Sequence, residues 1–393
     1  SLSHLITGII VYFLFVKLTW LQIQLHKQVP LLNRQKNEEV KKEYPTLEEL
    51  RNAIPKECFE KDALKSIFFL VWDLACLGGM YMIVGHVEEY FGWVGLIAWY
   101  FIFGMFGFSL FVVGHDCGHT TFSNYTWLND LCGHIANAPI MTPFWPWQKS
   151  HRQHHQYTSH FDKDRGHVWI DKEDYDGMDW LSQQFHKFPP SGLIFWHLYT
   201  FAGIADGSHF WPWSRLFTNT KERIQCAVSA IAVFACMYAA FVFLDYSIYN
   251  WVKYYYIPCC FTGYWLVIVT YLQHRDESVE VYEEGSWNYV KGQLQTYDRY
   301  YGFGIDYLMH HITDCHVVHH LFFTKIPHYK LKDATKAIKK VLAEYPGAYK
   351  YKYNYDFVFE YHRLQNVLEY LIGKGTGMMK YFISSEVPKT KAE

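Results

Sequence analysis

Four stretches of this chain run for about the length of a bilayer-crossing helix with almost no charge. Phe91 to Gly114, Cys226 to Leu244 and Tyr254 to Gln273 are uncharged throughout, and Ile67 to Gly85 carries only Asp73. Backbone polar groups in hydrocarbon must be satisfied within the segment, so all four read as membrane helices. Asp73 is costly there unless it faces the bundle interior and pairs with a neighbouring helix. The connections around His86 to Tyr90 and Asp245 to Lys253 are short, whereas segments 115–225 and 274–393 are long. The pattern predicts an all-α integral membrane protein, four transmembrane helices in two hairpins, with a helical cap on one face. The long segments hold most of the Lys and Arg, which places the cap on the cytosolic side.

Other apolar runs are too short to span. Gly192 to Ile204 and the aromatic run Phe210-Trp-Pro-Trp213 read as an interfacial helix and its anchor, and Pro143-Phe-Trp-Pro-Trp147 as part of the headgroup belt. Leu5 to Ile23 is apolar enough for a further span or an uncleaved anchor, and a charged linker, Asn33 to Lys42, follows it. The expected organisation is an atypical N-terminal segment over 1–46, a membrane domain over 47–380 and a cytosolic tail over 381–393. Nine cysteines, several in apolar runs, read as a reducing compartment without a disulfide framework. A net charge of −2 and no basic stripe give no nucleic-acid signal.

Eight histidines fall in three clusters within the long segments: His115-Asp-Cys-Gly-His119, His151-Arg-Gln-His154-His155 and His316-Val-Val-His319-His320. On a helix, spacings of three and four put two rings on one face about a turn apart. One such pair is common by chance, but three on one membrane face point to a polynuclear metal site. Eight imidazoles exceed what one ion takes, so two ions with about four ligands each fit the count. His274, closing the fourth apolar stretch, is a further candidate ligand, and His310 a weaker one. His134, His160, His167, His209, His311 and His328 lack ligand spacing and read as supporting residues. Asp116, Asp130, Asp164 and Asp314 are placed either to accept the second N–H of an imidazole or to cap helices. Zinc is redox-silent, and no Glu or nucleophile is placed for hydrolysis. A pair of irons at the edge of a hydrocarbon phase suits O2 activation against an alkyl chain.

At these residues the chain resembles the membrane fatty acid desaturase family, whose three boxes have the forms HxxxH, HxxHH and HxxHH. The likeness extends from about Leu47 to the C-terminus. Gly114-His-Asp-Cys-Gly-His119, Trp147-Gln-Lys-Ser-His-Arg-Gln-His-His155, Thr270-Tyr-Leu-Gln-His274 and the run His310 to His320 are similar to the methyl-end (Δ12/ω-6 and ω-3) branch, nematode type. The resemblance implies a di-iron site held by His115, His119, His151, His154, His155, His316, His319 and His320, with His274 as a ninth ligand. It also implies O2 as co-substrate, a fatty acyl lipid or acyl-CoA substrate, and electrons from cytochrome b5 and NADH-cytochrome b5 reductase at the endoplasmic reticulum membrane.

The third box begins with His316 instead of Gln, and no HPGG-bearing cytochrome b5 domain is present, both unlike front-end desaturases. His-Arg-Gln-His-His in the second box leans to Δ12 desaturation of oleoyl to linoleoyl. Met309-His-His-Ile-Thr and Gly166-His-Val-Trp-Ile170 lean to ω-3. The reading adopted is Δ12, with ω-3 desaturation or a related hydroxylase or conjugase as the alternative. Lys389-Thr-Lys391-Ala-Glu393 resembles a dilysine retrieval signal. A different class, a histidine-rich metal transporter, would place ligands near the bilayer midplane or in repetitive loops. His154→Ala and His319→Ala are each expected to abolish oxidised lipid product while membrane insertion is unchanged. Fatty-acid chromatography beside membrane fractionation checks this, and activity in either variant removes that residue from the ligand set.

Overall fold

The computed structural model describes residues 44–383 apart from 205, together with 17, 21 and 24. The apolar segment Leu5 to Ile23 and the tail 384–393 therefore lie outside the described residues, the three isolated positions excepted. Three helices among the described residues are long and apolar enough to cross a membrane: Ala63–Gly118, Thr220–Phe243 and Ile248–His274.

The first of these, α1 (Ala63–Gly118), covers two of the four expected spans, because its 56 residues are helical throughout except at Gly92 (φ 57°, ψ −144°). A straight helix of that length would be about 84 Å long, far more than the roughly 30 Å of bilayer hydrocarbon. Gly92 breaks it with a backbone conformation that side chains disfavour. Trp99 Nε1 then donates to the Met80 carbonyl at 2.9 Å, and Tyr81 packs edge-on against Phe103 at 5.1 Å. Residues so far apart in sequence touch only if the two arms of α1 lie side by side. The turn is thus one glycine within a continuous helical run, where a loop around His86 to Tyr90 was expected. Asp62 starts the helix by accepting from the Leu64 and Lys65 amides at 3.0 and 3.1 Å.

The second arm of α1 ends enclosed, with every residue from Gly107 to Gly118 buried. It packs on α6 (Ile257–His274) through small residues. A Cβ on Gly104 would lie 2.6 Å from the Phe261 carbonyl carbon, and one on Gly107 would lie 2.2 Å from Thr262 Oγ1. Trp265 Nε1 donates to the Phe101 carbonyl at 2.8 Å across the same interface. Close backbone approach at glycine is the usual device where no water drives apolar helices together. Between these two elements in sequence come α2 (Thr126–Asn137), α3 (Phe144–Gln156), α4 (Gly192–Ala202) and α5 (Thr220–Phe243). On α5, Ile224, Ile231, Tyr238 and Phe243 are exposed, as lipid-facing side chains are. Asp245 and Tyr246, both at positive φ, reverse the chain after it.

Asp73 is buried and bonds His310 Nε2 at 2.7 Å, so the intramembrane carboxylate is paired with an imidazole from the cap. The Pro143 to Trp147 run departs from the interfacial expectation. Phe144 and Trp147 are buried, and Trp147 stacks on His151 at 4.7 Å, because α3 turns this face into the cap's core. Trp211 and Trp213 do stay exposed.

After α6 come α7 (His316–Phe322), α8 (Leu331–Leu342) and α9 (Phe357–Val367), and a correction to the all-α expectation. Among the described residues, five short strands form two small sheets. Strand β1 (Glu280–Tyr282) pairs antiparallel with β5 (Met378–Tyr381), Glu280 opposite Lys380, and β4 (Leu371–Ile372) flanks β5. Strand β2 (Asp298–Tyr300) runs parallel to β3 (Tyr351–Tyr353). These strands have at most four residues, too few for a periodic apolar signal, and they exist because the folded cap brings their partners alongside. All nine cysteines are free thiols. Gly104→Leu is expected to force α1 from α6 and lower stability by about 1–3 kcal/mol. Gly78→Leu, where an added Cβ meets nothing within 4 Å, is the control; equal melting temperatures in detergent would contradict this packing.

Candidate metal centre

Each histidine cluster sits at the end of an element that the fold drives inward. His115 ends the buried arm of α1 and His119 caps it; α3 carries His151, His154 and His155; His274 closes α6; α7 carries His316, His319 and His320. Helix α7 is itself held by Asp298, which accepts from the Val317 amide at 2.8 Å and from Tyr349 Oη at 2.6 Å. Burial pushes the Asp298 carboxyl up to about 7.

The rings converge into two groups. Ligand atoms of His115, His119, His151, His155 and His319 all lie within 4.8 Å of one another, and so do those of His154, His274 and His320. His316 joins the second group, its Nε2 being 3.0 Å from His274 Nε2. The groups adjoin, with the His155 and His320 rings 4.1 Å apart. All nine nitrogens named as ligands are therefore brought together. His310, the weaker candidate, is not: it pairs with Asp73 and packs on His328 at 4.6 Å, outside both groups.

The spacing within each group has a physical reading. Nε2 atoms stand 3.2 Å apart for His115 and His119, 3.1 Å for His151 and His155, 3.2 Å for His155 and His319, and 3.3 Å for His154 and His274. Two ligands about 2.1 Å from one metal and at right angles are about 3 Å apart. Hydrogen bonds alone do not account for the set. His155 Nε2 faces two other Nε2 atoms, His274 Nε2 likewise, and an imidazole nitrogen shares at most one proton.

Outer partners settle which nitrogens bear protons. Asp164 Oδ1 accepts from His154 Nδ1 at 2.7 Å, while its Oδ2 accepts from the Ser159 amide at 3.0 Å. Gln293 Oε1 accepts from His320 Nδ1 at 2.9 Å, and Gln293 Nε2 donates to the His155 carbonyl at 2.7 Å. Thr158 Oγ1, 3.1 Å from the same His320 nitrogen, donates to the His154 carbonyl at 2.8 Å. With Nδ1 protonated, Nε2 of His154 and of His320 presents a lone pair, and buried His320 Nε2 has no hydrogen-bond partner among the described residues. Lone pairs aimed at one another repel unless a cation lies between them, so the donor set fits metal ions. Burial also holds the His151, His155, His316, His319 and His320 imidazoles well below their ordinary range, in the neutral form that ligates.

The other acidic residues have different work. Asp116 accepts from His328 Nδ1 and the His328 amide, both at 2.9 Å, and is 3.9 Å from His115 Nδ1. Asp130 accepts from Trp145 Nε1 at 2.8 Å, and Asp314 from His311 Nδ1 at 3.0 Å. Sequence reasoning missed Thr158 and Gln293. Thr158 follows the second cluster closely enough to be suspected, but Gln293 reaches the site only through the fold.

A cavity of about 360 Å³ opens beside both groups. Phe108, Phe111, Val112, Trp196, Leu266 and Val269 line it, and His115, His151, His154, His274 and His316 lie on its wall. Its polar lining includes Arg165, Arg275, and the Lys187–Glu369 ion pair at 2.6 Å.

A helical membrane protein with two enclosed imidazole groups beside an apolar cavity is the class that fold and site define. Residues 91–353 match the fatty acid desaturase family. The chain is 52% identical over 353 residues to the Delta(12) fatty acid desaturase fat-2 of Caenorhabditis elegans, covering 89% of this chain and 94% of that protein. It is 48% identical over 360 residues to the Omega-3 fatty acid desaturase fat-1 of the same organism, covering 91% and 89%. It is also 32% identical over 319 residues to a Delta(12)-acyl-lipid-desaturase of Punica granatum, covering 76% and 81%. The chain belongs to the fatty acid desaturase family and is an oxidoreductase of lipid metabolism.

Histidines held below their ordinary value of 6.5 make stability rise with pH, because the unfolded chain takes protons that the folded one refuses. Metal-free protein is expected to lose about 1.4 kcal/mol per pH unit for each imidazole that stays neutral as pH falls below that value. Melting temperatures in detergent from about pH 8 to about pH 5 read this. A flat profile would contradict the buried, neutral cluster.

Proposed function

We propose that this chain is an O2-dependent di-iron desaturase that introduces a second cis double bond at the Δ12 position of a mono-unsaturated acyl chain. The apolar cavity with imidazoles of both groups on its wall is the observation that carries this reading. His115, His119, His151, His155 and His319 would hold one iron, and His154, His274, His316 and His320 the other. Bound iron would supply the one-electron steps that O2 reduction and cleavage of an unactivated C–H bond require.

The chain's own residues do the rest. Phe108, Phe111, Trp196 and Leu266 hold the acyl methylenes by contact and keep water from the oxidising site. Asp164 and Gln293 fix the tautomers of His154 and His320, so that donor atoms do not reorganise during turnover. In balance, two hydrogens leave adjacent methylenes, two electrons and two protons enter, and O2 leaves as two waters. The electrons are assigned to cytochrome b5 and its NADH-dependent reductase. On this reading the two arms of α1 with α5 and α6 are four spans with every histidine group on one face, which we assign to the cytosolic side of the endoplasmic reticulum membrane. The catalytic unit is residues 47–380.

Δ12 selectivity is favoured by the second box and by the higher identity to the Delta(12) relative; ω-3 selectivity is the second reading, favoured by the 48% identity to an Omega-3 relative. Expression in yeast, which supplies oleate and cytochrome b5, separates them by gas chromatography. Linoleate as the new product is expected. Conversion of fed linoleate to α-linolenate instead would transfer the assignment to ω-3, and well-expressed protein that makes neither would overturn the desaturase reading.

A further inference from the structure

His167 lies outside every box and lacks ligand spacing, yet the fold sets it against the second imidazole group. Its ring centroid is 4.5 Å from that of His274 and 5.0 Å from that of His154. Ring spacings within the group itself are 4.6 Å for His154 and His274, 4.7 Å for His274 and His320, and 5.2 Å for His154 and His320. His167 thus sits beside two of these rings, His154 and His274, at the distance the group's rings keep from one another.

The segment bearing it is built around His154. Asp164 holds His154 Nδ1 at 2.7 Å, and Gly166 lies so close that a Cβ there would be 2.7 Å from His154 Cβ and Cγ. Just beyond His167, Arg275 Nη2 donates to the Val168 carbonyl at 2.6 Å. The Arg275 guanidinium is itself flanked by Trp169 at 5.6 Å and Tyr271 at 5.3 Å. The backbone is pinned on both sides of His167, which restricts its ring to the space beside His154 and His274. His167 also lines the apolar cavity.

We propose that His167 supplies a fifth imidazole nitrogen to the second metal site, on the side facing the acyl cavity. The inference rests on the di-iron reading above and changes its ligand count from five and four to five and five. It also places a ligand at the boundary between metal and substrate, where a change of donor alters the metal and the cavity wall together.

The test uses the full chain in detergent, loaded with isotopically enriched iron, as wild type, His167→Phe and His167→Glu. Phe keeps a ring of similar size without a nitrogen, whereas Glu supplies an oxygen donor. Iron per chain, the rate of iron loss to a chelator, and the Mössbauer doublets are measured, with metal-free melting temperatures as the check on folding. Wild type is expected to hold two irons. His167→Phe is expected to change one doublet only and to lose that iron about ten-fold or more faster. His167→Glu is expected to restore slow release, at unchanged metal-free melting temperature. If wild type holds two irons and His167→Phe matches it in both doublets and both release rates, His167 is no ligand and the di-iron reading stands. Wild-type protein that binds no iron overturns both readings.

Discussion

The cap is arranged around imidazole nitrogens held about 3 Å apart, all of their rings buried except that of His151. Neutral rings that present lone pairs to one another have no favourable arrangement without a cation, and the second ring nitrogens of His154 and His320 are already committed to Asp164 and Gln293. The chain therefore folds into a state whose central contacts are incomplete in terms of protein atoms alone. Metal binding and folding share one free energy in such a site. That is why the supporting contacts are so numerous: Asp298 under α7, Asp116 on His328, and Gln293 linking α3 to α7 hold the rings in position beforehand.

The membrane elements serve that centre from the other side. Close packing of α1 on α6 at Gly104 and Gly107 brings the histidine-bearing ends of both helices to one level, and the reversal at Gly92 returns the chain to the face it left. Asp73 pairs with His310, so the first arm of α1 is tied to the cap by an ion-pair-capable hydrogen bond in a poorly solvated region. The cavity lies where these apolar arms meet the cap, which is why phenyl and indole walls and imidazoles line the same space.

Much of the site was legible in the chain. The three clusters stood out because helical spacing of histidine is unusual when repeated three times, and His274 because it closes an apolar run at the same end; the fold brings all nine rings together. The long apolar helices were legible because uncharged runs of bilayer length are rare by chance. Less local features were not. Gln293, Thr158 and His167 stand outside the three boxes, and their contacts with His320 or His274 join segments far apart in sequence, as when Gln293 bridges His155 and His320. His310 looked like a ligand by proximity in sequence, but its positive φ and its bond to Asp73 take it elsewhere. The Pro143 to Trp147 run looked interfacial by composition and is buried against His151, because aromatic content does not say which side of a helix the cap covers.

Local sequence specified the chemistry on offer and the medium: histidines at ligand spacing and apolar lengths matched to a bilayer. These are local properties, decided by side-chain type and by the helical repeat. Tertiary structure alone decided how nine imidazoles divide into groups of five and four, which carboxylate or amide orients each, and where an alkyl-sized cavity meets them. Those outcomes depend on distances between segments that the chain joins only by folding, and no pattern along the backbone encodes a distance across it.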